Sequence, residues 1–226
     1  MRWCWLVALI ILLLTACRQS HLDPLAIDRS YFPLETGRYW VYDVDSIGYW
    51  GFADSVVVSS YQIREELDSA YTDAGGRQSF RIVRSFRRSE QDAWVATDVW
   101  SANYTPTTAE KVEENLRFIK QVYPIAEGRK WYGNNYIQAD SPLTDLQDWL
   151  YRYRNVHRPF AVNGFEFDST ITVVQHDQQN VIEQIYYEEK YARGIGLIYK
   201  IERNISTQPD KPWDGFDITY RLRDYQ

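Results

Sequence analysis

Cysteine is nearly absent from this chain, and what there is lies at one end. Cys4 and Cys17 are the only two, so no disulfide can staple the rest of the chain, and its fold must rest on a buried core. Histidine is equally scarce. His21, His157 and His176 have no His or Cys at ligand spacing, so no zinc site and no His-Glu-x-x-His helix can be drawn. They read as one tether residue and two strand-end residues, and the residues call for neither a metal nor a cofactor. No Gly-x-Ser-x-Gly elbow or P-loop occurs, and Gly194-Ile195-Gly196 has neither a third glycine nor a helix after it. It reads as a bulge or bend between strands. An excess of positive charge is missing too. Lys plus Arg number 25 against 31 Asp plus Glu, a net charge of −6, which disfavours a nucleic-acid partner and a polybasic grip on anionic lipid.

One long apolar run is present, and it is too short to span a bilayer. Trp3 to Ala16 carries no charge and follows Arg2. At about 1.5 Å per residue it would reach roughly 21 Å, short of the ~30 Å hydrocarbon core. A positive start, an apolar stretch and small residues before Cys17 make residues 1–16 a signal peptide. Leu14-Thr15-Ala16-Cys17 resembles the lipobox of bacterial lipoproteins. That resemblance implies cleavage before Cys17, acylation of its thiol with diacylglycerol and acylation of the new amino group, which together anchor stably where one chain would not. Cleavage lowers Lys plus Arg from 25 to 24 and the net charge to about −7. Residues 17–29, polar with Pro24, read as the acylated tether.

From residue 30 to 226 we expect a single β-rich domain. Val, Ile, Tyr, Phe and Trp alternate with polar residues, broken every dozen residues or so by turn formers. The spacing predicts strands at 38–47, 54–66, 77–88, 93–104, 111–122, 129–138, 149–157, 165–175, 181–191, 196–205 and 216–224. Turns are expected at Ala74-Gly75-Gly76, at Asp214-Gly215 and at Asn163-Gly164, the last a type I′ hairpin signal. Ser141 to Tyr151, with Leu143, Leu146 and Leu150 on one face, reads as a short helix. The fold class is all-β with minor α, a curved antiparallel sheet closing partly or wholly into a barrel.

Phe32-Pro33-Leu34-Glu35-Thr36-Gly37-Arg38-Tyr39-Trp40 echoes Tyr123-Pro124-Ile125-Ala126-Glu127-Gly128-Arg129-Lys130-Trp131. Two readings suit this echo: a repeated approach to a hairpin that plugs the ends of the sheet, or a platform built from the two Trp residues. At Phe-Pro-Leu-x-x-Gly-x-x-Trp-x-Tyr, Glu114-Asn115-Leu116-Arg117-Phe118, Gly128-x-x-Trp131-x-Gly133-Asn134 and Tyr191 to Lys200, the chain resembles a group of uncharacterised Bacteroidota-type lipoproteins. The resemblance covers nearly the whole domain. It implies lipidation and a β fold, and it brings no activity and no residue roles.

Chemistry has few candidates. Asp43-Val44-Asp45 begins like a calcium loop, but Ile47 stands where an oxygen ligand belongs, so the aspartates read as the wet face of a strand. Glu166 with Asp168, or Glu183 with Glu188, would serve a hydrolase using paired carboxylates. Arg77, Arg81, Arg84, Arg87 and Arg88 would bind an anion or pair with acids across the sheet. No catalytic set stands out. The leading expectation is a non-catalytic envelope lipoprotein, held at the outer membrane by Cys17 and facing the periplasm, since Arg18-Gln19-Ser20-His21 lacks an acidic run of the kind that resembles a surface-export signal. It would bind an apolar ligand, with Trp40, Tyr42, Trp100 and Trp131 as candidate contacts, or an envelope protein. The alternative is an envelope hydrolase.

Overall fold

A computed structural model describes residues 27–137 and 146–226. Cys17, the apolar run and residues 141–145 of the expected helix lie outside the described residues.

The alternating pattern resolves into twelve strands: β1 (Tyr39–Trp50), β2 (Ser55–Thr72), β3 (Gln78–Arg87), β4 (Val95–Tyr104), β5 (Thr108–Glu113), β6 (Leu116–Val122), β7 (Lys130–Tyr132), β8 (Leu150–Val162), β9 (Phe165–Gln179), β10 (Glu183–Ala192), β11 (Gly196–Ser206) and β12 (Asp214–Tyr225). They form one antiparallel sheet in the order β6-β5-β4-β3-β2-β1-β12-β11-β10-β9-β8-β7. The two ends of that order meet. Ile119 N–H of β6 donates to Gly133 O just beyond β7 at 2.8 Å, and the Trp131 indole N–H donates to Ile119 O at 2.8 Å. The sheet is therefore nearly closed into a barrel, which leaves few exposed edges.

The order also divides into two six-strand meanders, β1–β6 and β7–β12, and the sequence echo marks the start of each. Gly37 N–H donates to Leu67 O and Leu67 N–H returns to Arg38 O, at 2.8 and 2.9 Å. Gly128 N–H donates to Tyr153 O and Tyr153 N–H returns to Arg129 O, at 3.1 and 3.0 Å. Both glycines hold positive φ, 93° and 74°, which a side chain would resist. The Trp that follows is buried each time, with its indole N–H on a carbonyl, Ile195 O for Trp40 and Ile119 O for Trp131.

Several expectations are corrected. The stretch 111–122, read as one strand, is two, because Glu114 and Asn115 both adopt positive φ and turn the chain between β5 and β6. Asp214-Gly215 is not a turn. Both residues lie in β12, where Gly215 is needed because a Cβ there would come within 2.0 Å of Asn204 O on β11. Leu150 and Tyr151, placed at the end of the expected helix, open β8, and β2 runs on to Thr72 past a bulge at Leu67/Ser69. Asn163-Gly164 joins β8 to β9 with φ of 48° and 83°, the type I′ signature. Among the described residues no helix is long and apolar enough to cross a membrane. The outward face carries ion pairs such as Arg221–Asp45 (2.5 Å), Arg203–Asp217 (2.6 Å) and Arg81–Asp68 (2.7 Å), where a transmembrane barrel would carry an apolar band.

Candidate functional site

Alternation sends one set of side chains from each strand into the barrel. Trp40, Tyr42 and Val44 of β1 enter with Ile63 and Leu67 of β2, Phe80 and Ile82 of β3, Tyr151 and Tyr153 of β8 and Tyr191 of β10. The incoming segment Tyr31 to Leu34 closes one end, with Phe32 packed against Tyr191 at 6.0 Å between ring centroids. Asp28 and Arg29 are fixed to the same end. Asp28 pairs with Arg193 at 2.8 Å, and the Arg29 guanidinium donates to Thr105 O while lying over the Tyr104 ring.

Charges are threaded through this aromatic interior. Glu65 of β2 accepts from Lys111 of β5 at 2.8 Å, and Glu113 lies between Lys111 (3.1 Å) and Lys120 of β6 (3.0 Å). Lys120 in turn reaches Glu189 of β10 at 2.9 Å, and Glu189 accepts from the Tyr191 hydroxyl at 2.5 Å. Arg84 of β3 stands 3.9 Å from Glu65, and Lys200 pairs with Glu202 on β11 at 2.7 Å. The chain of contacts thus links the first meander to the second across the barrel.

Burial penalises each of these charges, and the neighbours decide the outcome. For Glu113, burial pushes the carboxyl up, but Lys120 and Lys111 overcome it and hold the group well below the ordinary carboxylate value. Glu189 is lowered against burial by Lys120 and Lys200. Burial pulls Lys120 and Lys200 down, yet Glu113 and Glu189 raise Lys120, and Glu202, Glu113 and Glu189 raise Lys200 well above its ordinary value. All four stay charged at neutral pH. Burial pushes the Tyr42, Tyr151 and Tyr191 hydroxyls well up, so they serve as hydrogen-bond donors.

Among the described residues, a cavity of 40 Å³ lies between the capping segment and this network. That is room for a few waters. Trp40 and Tyr42 line it with Phe32, Pro33, Leu34 and Leu67, above a floor that includes Lys111, Glu113, Lys120 and Glu189. The other two candidate contacts lie elsewhere. Trp131 packs on Tyr153 at 4.6 Å, while Trp100 sits between Lys111 and Arg84 with its indole N–H on Glu114. The structure therefore brings together Trp40 and Tyr42 but not the four.

The charged interior escaped sequence reasoning, although it left a signal. Glu65 lies between Ile63 and Leu67, Lys120 between Phe118 and Val122, and Lys200 between Ile198 and an inward Glu202, each a charge interrupting an apolar face.

The remaining candidates are scattered and do not converge on one site. Asp43 and Asp45 bond Gln62 and Ser60 across β2, at 2.7 Å each. Glu188 is tied to Lys190 (2.8 Å) and the Tyr186 hydroxyl (2.5 Å), while Glu183 accepts from Gln178 and Asn180 at the β9–β10 hairpin. Glu166 and Asp168 are exposed on β9. The arginines pair separately, Arg77 with Asp73 (2.8 Å), Arg81 with Asp68 (2.7 Å) and Arg84 with Asp98 (3.3 Å), and Arg87 bonds Gln62. His157 Nδ1 meets the Tyr31 hydroxyl at 2.6 Å, and that hydroxyl also meets Ser169 Oγ at 2.7 Å. His176 stacks on Trp149 at 4.5 Å, and burial lowers its pKa. Among the described residues no cluster of three or more His, Cys, Asp or Glu is placed to hold a metal.

No protein-family model matches this chain, and no curated protein matches it. Two solved structures are similar to it. One is a protein described as exported, with a YMCC-like fold, from Bacteroides fragilis NCTC 9343, at 10% identity and a TM-score of 0.47. The other is a protein described as a lipoprotein, from Parabacteroides distasonis ATCC 8503, at 9% identity and a TM-score of 0.46. Each likeness covers 87% of this chain and 98% of the other. At these identities and scores it brings no activity or ligand with it.

Proposed function

We propose that this chain is a lipid-anchored protein of the bacterial envelope, held at Cys17 on the periplasmic side of the outer membrane, which works through contacts of its outer surface with an envelope partner. The observation that carries this reading is the state of the barrel interior. Its lysines and glutamates are matched to one another at 2.7–3.1 Å, and the cavity that Trp40 and Tyr42 line among the described residues measures 40 Å³, against about 300–1,000 Å³ for a typical ligand pocket. The lipobox supports the anchor, and the polar segment after Cys17 supports the leaflet.

A second reading keeps one supporting observation. Trp40 and Tyr42 converge with Phe32, Pro33 and Leu34 on the one interior cavity described above, so an apolar ligand would enter there by displacing the capping segment. Titrating the protein with fatty acid or phospholipid while following tryptophan emission separates the two. The surface-contact reading expects no saturable change. A change saturating at one lipid per chain, abolished by Trp40→Ala, would replace it with the ligand reading. Cys17→Ser should leave the detergent phase, and continued labelling of that variant with palmitate would refute the anchor.

A further inference from the structure

The β1–β2 hairpin outruns its neighbour. β2 pairs with β1 from Ser55 onward but meets β3 only at Gln62, opposite Arg87. Residues 55–61 thus have β1 on one side and, among the described residues, no strand on the other. In an antiparallel ladder alternate residues turn both N–H and C=O outward, so this stretch presents a row of unpaired backbone groups. Its side chains do nothing to protect it. Val56, Val57 and Val58 are 59%, 53% and 71% exposed, and no charge, proline or bulge interrupts Ser55 to Tyr61, the devices by which free edges are normally blunted.

The sequence of this edge names its occupant. Ser55-Val56-Val57-Val58-Ser59 reads the same in both directions. Two copies laid antiparallel about Val57 would set Val57 against its own mate, Val56 against Val58 and Ser55 against Ser59, the self-complementary pattern a two-fold interface requires. No like charges would face each other across it. Val56 and Val58 share the outward face with Tyr49 and Ile47, their partners on β1, and Tyr49 packs on exposed Trp213 at 5.5 Å. Pairing would therefore continue an apolar stripe from one copy into the next. The paired stretch ends before Gln62 in each copy, so β3 does not obstruct it.

We propose that this overhanging edge of β2 is a self-association site, where two copies of the chain join their sheets through antiparallel pairing centred on Val57. The inference does not depend on the envelope reading, because it uses only the folded domain.

Single cysteines at positions 55 to 60, introduced in the full chain and oxidised, test it. The unsubstituted chain supplies the background from Cys4 and Cys17. Only the residue on the two-fold axis faces its own copy, so Val57→Cys should give the most covalent dimer, with yield falling towards Ser55→Cys and Ser60→Cys. Val57→Lys should shift the native mass from dimer to monomer while the far-ultraviolet circular dichroism stays unchanged. Equal cross-linking at all six positions, cross-linking of Val57→Cys to a different protein, or a Val57→Lys variant that remains dimeric would overturn the proposal. If Val57→Cys fails to fold, the native mass of Val57→Lys decides alone.

Discussion

The inside of the barrel and the far end of its β1–β2 hairpin treat their polar groups in opposite ways. Inside, Lys111, Lys120 and Lys200 lie within 3.1 Å of glutamate oxygens, and the Trp40, Tyr42 and Trp131 donors all find carbonyls. At the hairpin, a seven-residue stretch has no strand on one side among the described residues, beside exposed valines. The interior is filled by large buried side chains such as Trp40, Tyr42, Tyr151, Tyr153 and Tyr191, so binding capacity remains where pairing is incomplete. The contrast points outward, to an edge and a surface, for what this protein does.

Breaking the paired charges of the interior should have the largest effect. Lys120→Met leaves Glu113 and Glu189 buried without their shared cation. Loss of one partner from a buried pair costs about 3–5 kcal/mol, and urea unfolding should show it as a lower midpoint. An unchanged midpoint would mean that the network contributes no stability.

The next largest effect is steric. A Cβ at Gly133 would fall 2.3 Å from the Tyr151 ring, whose hydroxyl donates to Asn134 Oδ1 at 2.7 Å. This accounts for Gly133-Asn134 beside Trp131. Gly133→Ala should cost roughly 1–3 kcal/mol by overpacking, and that cost should shrink in a Tyr151→Ala background, where the ring is gone. Strict additivity of the two substitutions would contradict it.

pH should act on the same network from both sides. Glu113 and Glu189 are held low in the fold, so their contribution is present above the unfolded value of about 4.3 and is lost as pH falls through the folded value. Lys120 and Lys200 are held high, so theirs is present below about 10.4 and is lost as pH rises through the folded value. The buried tyrosines add to the alkaline loss above about pH 10, since burial raises their folded values and keeps them protonated. Stability should therefore be flat from about pH 5 to 9 and fall on either side. Phenolate absorbance should rise in two steps, the second together with loss of near-ultraviolet ellipticity. Complete tyrosine ionisation in an intact fold would contradict this account of the interior.

The smallest effect on stability belongs to the open side. Val57 is exposed and projects beyond β3, so Val57→Lys should change the unfolding free energy by less than ~0.5 kcal/mol while abolishing self-association. A variant that is both monomeric and strongly destabilised would show that Val57 belongs to the core.

How legible this was from sequence differed between the two regions. Period-two alternation locates the strands because a half-buried strand must alternate, and the echo around Gly37 and Gly128 is visible because glycine suits positive φ best, although that it opens two meanders is seen only in the fold. Glu114-Asn115 escaped because glutamate at positive φ is no turn signal, and Gly215 misled because glycine serves close backbone approach as well as turns. Trp40 and Tyr42 stand out in the sequence by their aromatic bulk, as do Trp100 and Trp131, which do not join them at the cavity. The charges beside the first two do not, since a lysine on an apolar face acquires meaning only when a distant strand supplies its glutamate. For Lys120 that partner is Glu189, 69 residues away. The overhang of β2 depends on where β3 stops pairing, at Arg87 opposite Gln62, which no local pattern in residues 54–66 could reveal.

Hydrogen exchange, followed residue by residue at two protein concentrations, tests the contrast most directly. The account predicts slow exchange in β5, β6 and β10 at both concentrations. Within 55–61 it predicts rapid exchange for the outward amides when dilute, and protection as concentration rises. Protection of those amides at the lowest concentration, or exchange in β6 and β10 as fast as at the hairpin, would contradict it.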